Sequence, residues 1–155
     1  MRFRTVAAAV TLVAITTAIY TWTPLGRGGA GVDGPVIHSG FAFAAGGEDA
    51  QIEGVLVLDG DCLYIEFPDM PGVRYPAVWP HGTSWQDEPA GVVLPGGEVA
   101  LLGTWVSGGG GYHSERSRIE SVTNHEGTEL ALRCAEDPHR EVAIFNLGSR
   151  VEALD

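Results

Sequence analysis

The sequence predicts an all-β domain on three observations. Two β-rich runs flank the turn Asp59-Gly60-Asp61, strand-like runs separated by turn signals recur as far as Leu147, and only one stretch, 114–123, reads as a short helix. The 155 residues are 45% apolar, enough for one small core, which argues against a disordered acidic tail or a low-complexity chain.

Met1 to Arg4 carries two positive charges, and residues 5–26 are uncharged, with an apolar centre from Val6 to Tyr20. Residues 1–26 therefore read as a signal peptide or an N-terminal transmembrane anchor. A helix of this length spans about 33 Å against a hydrocarbon thickness of ~30 Å, so length serves either role. Tyr20 and Trp22 favour an uncleaved anchor by resembling an interfacial aromatic belt; small-residue sites ending at Ala18 and Ala30 keep cleavage and secretion as the alternative. Arg2 and Arg4 before the apolar stretch, against Arg27 after it, place the N-terminus in the cytoplasm and the remainder outside, a single pass through the cell membrane. Residues 27–51 hold seven Gly with Asp33, Pro35, Glu48 and Asp49, and read as a flexible Gly-rich linker in which Phe41 and Phe43 are the bulky side chains. Residues 52–155 are then the β-barrel domain.

Ile52 to Leu58 and Cys62 to Phe67 form a hairpin, since Asp-Gly supplies the positive φ that a tight turn needs. Leu63, Ile65 and Phe67 alternate with Cys62, Tyr64 and Glu66, so one face of the second strand points to a core and the other carries the polar groups. Val73 to Trp79 is a third strand, expected at an edge because Pro76 cannot donate to a ladder, and Pro80-His81-Gly82 ends it. Gly91 to Leu94 and Glu98 to Val106 form a second hairpin around Pro95-Gly96-Gly97. Ser107 and the four glycines 108–111 are expected to break that strand. Ser114 to Thr123 is the short helix, with Ile119 and Val122 three apart and Ser114 placed to cap. Thr128 to Cys134 and Glu141 to Leu147 are further strands across a turn at 135–139, and the unbroken apolar run Val142 to Phe145 is central. Six or seven strands in about 95 residues suit a small sandwich or barrel. A partly open β-barrel of the oligonucleotide/oligosaccharide-binding (OB) type is the expected architecture.

In an oxidising compartment Cys62 and Cys134 form one disulfide, the only connectivity available. It staples the second strand to a late one and restricts the unfolded chain by roughly 4 kcal/mol. From Asp33 onward six Arg face all twenty Asp and Glu, and the chain has no Lys. The six Arg form no basic stripe, which excludes nucleic acid as a partner, and the absence of Lys excludes a catalytic lysine. The acidic field repels anionic lipid, leaving membrane contact to residues 5–26, and favours cationic partners or plain solubility.

Several segments carry a resemblance: G-V-L-V-L-D-G-D-C-L at 54–63, V-W-P-H-G-T at 78–83, L-P-G-G-E-V at 94–99, V-S-G-G-G-G-Y at 106–112, C-A-E-D at 134–137 and E-V-A-I-F-N at 141–146. Over residues 52–146 the chain resembles a group of small exported β-domain proteins of high-GC Gram-positive bacteria, a group of uncharacterised function. The resemblance implies a small β domain and carries no catalytic residues across. Many chains of the group attach through a lipidated cysteine, which this chain lacks, so attachment falls to the apolar segment.

His81, His113 and His125 are the histidines that a zinc site would draw on, but no pair has metal-ligand spacing, and neither a metal nor another cofactor is expected. Asp59 and Asp61 lack the further oxygen ligands of a calcium loop and read as turn residues. Glu66 with Asp87 or Glu88 is the candidate carboxylate pair for glycoside hydrolysis. Ser107 is no nucleophile elbow, because Trp105 stands where that motif needs Gly, and the glycine run lacks the Lys of a phosphate loop. Trp79 and Trp105 lie in strand patterns and belong to the core. Trp85, in the polar stretch 83–89 outside any strand pattern, is the leading contact residue. With His81, Tyr112 and His113 it places the contact surface on the loops Trp79 to Pro89 and Ser107 to His113. The expected function is a non-enzymatic extracytoplasmic binding or interaction module, tethered to the membrane, with an envelope protein or a carbohydrate as partner. The alternatives are a cell-envelope hydrolase using paired carboxylates or a His-bound metal, and a structural accessory subunit of a membrane complex.

Overall fold

The computed structural model describes residues 29–40, 47–70, 72–135, 140–148 and 150–154. The apolar segment 5–26, Phe41 and Phe43, and the turn residues 136–139 lie outside them. No helix among the described residues is long and apolar enough to cross a membrane.

The fold is mostly β, as expected. In chain order the elements are β1 (Gly31–Asp33), β2 (Val36–His38), β3 (Ala50–Asp59), β4 (Cys62–Glu66), β5 (Arg74–Trp79), β6 (Ser84–Asp87), β7 (Ala90–Val93), β8 (Val99–Leu101), β9 (Trp105–His113), α1 (Arg116–Glu120), α2 (His125–Cys134), β10 (Val142–Phe145) and β11 (Glu152–Leu154). The main sheet runs β1-β2-β5-β10-β9-β3-β4; β11 pairs with β9, and β4 pairs with β5 as well as β3. A second sheet runs β6-β7-β8. The register Asp59↔Cys62 leaves Gly60 and Asp61 as the two-residue turn of the first hairpin, with Gly60 at φ 58°.

Alternation along the strands builds two cores from one sheet. Val36, Leu63, Ile65, Ala77, Trp79, Ala143 and Phe145 point to one face, where Val92, Leu94 and Ala100 of the second sheet's hairpins join them. Their neighbours Ile37, Tyr64, Val78, Val142 and Ile144 point to the other, where Ile119, Leu130, Ala131 and Cys134 of the helices cover them. The central run Val142 to Phe145 is buried on both faces, as its unbroken apolar character requires.

Five local expectations are corrected. The stretch read as linker contains β1 and β2: Val36 and Ile37 enter opposite cores, and β2 pairs parallel with β5, so the folded part begins well before Ile52. The strand β5 is interior, flanked by β4, β10 and β2. Its ladder to β10 begins at Ala77, immediately past Pro76, so the missing donor falls at the ladder's end. Glu98 to Val106 divides into β8 and β9 around Gly103, at φ 85°. The glycine run does not break β9; a Cβ at Gly108 would lie 2.9 Å from the Phe145 ring, and one at Gly110 would strike the Ile144 carbonyl and the Ile52 side chain. Here glycine permits close approach of neighbouring strands rather than a bend.

The fifth correction is α2, read from the sequence as the strand Thr128 to Cys134. Asn124 caps it, its side chain accepting from Gly127 N at 2.8 Å, and Gly127, Thr128, Leu130, Ala131 and Cys134 are buried at helical spacing. The short helix α1 falls within the expected 114–123, but Glu115 rather than Ser114 precedes it, with no side-chain cap. Replacing Asn124 with Ala is expected to cost about 1 kcal/mol, read as a lowered denaturant midpoint at unchanged slope.

Candidate functional site

A cleft of about 860 Å³ opens between the β1–β2 turn, the β3–β4 turn, β6 and α2. One wall is Trp85. It lies in β6, correcting its expected place outside any strand, opposite the buried Val92 of β7. The indole is half-buried, packed on the core beneath the second sheet. The Trp85 main-chain N–H donates to Asp33 Oδ2 at 3.0 Å, and Nε1–H donates to Asp87 Oδ1 at 2.8 Å. Gly34, at φ 56°, lies against the ring: a Cβ there would be 2.9 Å from Cδ1, so this turn needs glycine for both conformation and space.

The cleft is also lined by Asp61 of the β3–β4 turn and by Glu126, Glu129 and Arg133 of α2, three and four residues apart and hence on one helical stripe. Arg116 donates to Glu129 Oε1 at 2.7 Å, and this hydrogen bond, with the guanidinium's charge, holds the Glu129 carboxyl below the usual range. Val32, Pro35, Leu58 and Leu130 supply apolar lining. The disulfide joins Cys62, the residue after Asp61, to Cys134, the residue after Arg133, with Cα atoms 5.7 Å apart. The covalent link therefore holds these two parts of the cleft together. The Tyr64 hydroxyl donates to the Cys134 carbonyl at 3.1 Å at the same helix end.

Of the residues singled out from sequence, Trp85, Asp61, Asp87 and His125 line this cleft, while the predicted contact residues His81, Tyr112 and His113 have different surroundings. His81 Nδ1 is 3.2 Å from the Ser39 carbonyl oxygen, and its ring meets His38 edge-on at 6.4 Å. Tyr112 lies in β9, its ring 4.8 Å from Tyr75. Burial, then the neighbouring Tyr75, Glu53 and Glu141, push its hydroxyl up to about 12, so it stays neutral at physiological pH. His113 Nε2 is 2.9 Å from Glu48 Oε1, which Arg118 also contacts at 3.0 Å. Ser107 to His113 is strand throughout, not a loop.

Of the carboxylates weighed for hydrolysis, Glu66 lies in register with Arg74 in the β4–β5 ladder, and Asp87 accepts from Trp85 Nε1–H. Among the described residues no group of three or more His, Cys, Asp or Glu is placed to hold a metal ion. Sequence reading missed the α2 stripe and Asp33 as site residues, because α2 was read as a strand and Asp33 as linker. The signal for α2 was present in the cap Asn124 and the spacing of Leu130, Ala131 and Cys134. Compared with protein-family models, curated proteins and solved structures, the chain gives no match.

Proposed function

We propose that the protein is a non-enzymatic binding module acting outside the cytoplasm, built on an OB-like barrel and making contact through the Trp85 cleft. The observation that carries this reading is a half-buried tryptophan, its main-chain N–H held by Asp33 and its indole N–H by Asp87, on the wall of a cleft of about 860 Å³. A side chain held in place in this way loses little freedom when a ligand binds, and aromatic anchors of this kind dominate contact energies. The Cys62–Cys134 disulfide supports an oxidising compartment and hence export, with residues 5–26 as anchor or signal.

The pairings β3–β4, β4–β5, β5–β10, β10–β9 and β9–β3 support the barrel reading, because each of these five strands meets two of the others. OB folds bind through the face of their second and third strands and through the connections between the first two and the last two. On that scheme Gly60–Asp61 is the first connection and the segment carrying α1 and α2 is the last. The cleft lies where they meet. Trp85→Ala in the full chain is expected to lower recovery of its envelope ligand in pull-downs at least tenfold, while unfolding stays cooperative at a midpoint lowered by the lost packing. Undiminished recovery with the Ala variant would count against the cleft as the contact site.

A further inference from the structure

We infer that the occupant of the cleft is a basic peptide segment of an exported partner polypeptide, its Arg or Lys side chains seated between the Trp85 wall and the α2 wall. The inference rests on the reading of the cleft as the contact site and adds the chemistry of what fills it.

Five carboxylates, Asp33, Asp61, Asp87, Glu126 and Glu129, line the cleft with Arg133 and His125, and Arg116 from outside the lining pairs with Glu129, which leaves the acids in excess. Three of them accept hydrogen bonds: Asp33 and Asp87 from Trp85 N–H groups, Glu129 from Arg116. A concave, acid-lined surface concentrates cations and turns away sugar acids, phosphates and acidic peptides. Charge is only one of three matching features. The indole face is the strongest aromatic partner for a guanidinium or ammonium. The apolar lining of Val32, Pro35, Leu58 and Leu130 suits the methylene stems of long basic side chains, which lie along apolar surface with their heads among the carboxylates.

The carboxylates form two groups, Asp33 and Asp87 bonded to Trp85, and Asp61, Glu126 and Glu129 on the β3–β4 turn and α2, which suits an occupant carrying more than one cation. Arg133 decides between a peptide and a free polyamine. Its guanidinium is a donor with no acceptor character, so it matches main-chain carbonyls, which a peptide presents and a polyamine lacks.

The test is fluorescence-anisotropy titration of the full chain with a labelled peptide of alternating Arg and Gly. Asp61→Asn with Glu126→Gln is expected to weaken binding at least tenfold, and Trp85→Ala to do likewise. Glu98→Gln with Glu152→Gln, which removes the same charge from residues outside the cleft lining, is expected to shift affinity less than twofold. Asn is at home in a turn and Glu126 is exposed on α2, so the cleft pair should fold. Glu126→Gln alone gives a graded version if it does not. Equal loss from both charge pairs would overturn the inference in favour of a diffuse acidic field, and no peptide binding would overturn it outright. Displacement of the peptide by spermidine at equal affinity would transfer the site to small amines. If the Arg peptide fails to bind while Trp85→Ala still abolishes recovery of the envelope ligand, the contact site stands and its basic occupant falls.

Discussion

Cys62→Ala with Cys134→Ala is expected to lower stability by about 4 kcal/mol, the largest single effect in the molecule. The bond closes a loop with a sequence separation of 72, and a cross-link of that span removes roughly this much conformational freedom from the unfolded chain. A domain of this size is held by about 5–15 kcal/mol in total, so the reduced protein is marginal. Denaturant titration with and without reductant is the direct measurement. Coincident curves would mean that packing on both sheet faces holds the fold without the bond. The bond also ties the Asp61 turn to the end of α2, so weakened binding of the basic peptide should accompany reduction even where the chain remains folded.

Gly110→Ala is expected to cost about 3 kcal/mol, the upper end for overpacking, because the new methyl meets a backbone carbonyl, at Ile144, that cannot rotate away. Gly109→Ala is the matched control. A Cβ there faces only the Asn146 side-chain nitrogen, at 3.1 Å, and the cost should stay under about 1 kcal/mol. Equal costs at the two positions would mean that the alternation along β9 does not run through the glycine run as described.

How far the sequence is legible follows from the range of the interaction behind each feature. The Asp59-Gly60-Asp61 hairpin, the alternation in Cys62 to Phe67 and the buried run Val142 to Phe145 depend on neighbours a few positions away; the hairpin and the run are found as read, whereas Cys62 and Tyr64, on the face expected to be polar, pack into the second core under the helices. Val36 and Ile37 were invisible as core, because a two-residue apolar run among glycines has no local signature. They are ordered by β5, about 40 positions on. The glycine run was misread for the same reason: local rules treat four glycines as a breaker, whereas the need for them comes from Phe145, Ile144 and Ile52. For α2 the local cues conflicted, with a β-branched Thr128 and a cysteine pattern against an Asn cap, and burial against Ile37, Tyr64 and Val78 resolved the conflict toward helix.

By itself the sequence determined the β character, the first hairpin and the partner of each cysteine, since these follow from turn stereochemistry, strand alternation and a count of two thiols. Only the tertiary structure decided that Trp85 and the acidic stripe of α2 line one cleft. Residues 33, 61, 85 and 126 share no local pattern; strand pairing, helix packing and one covalent link bring them together.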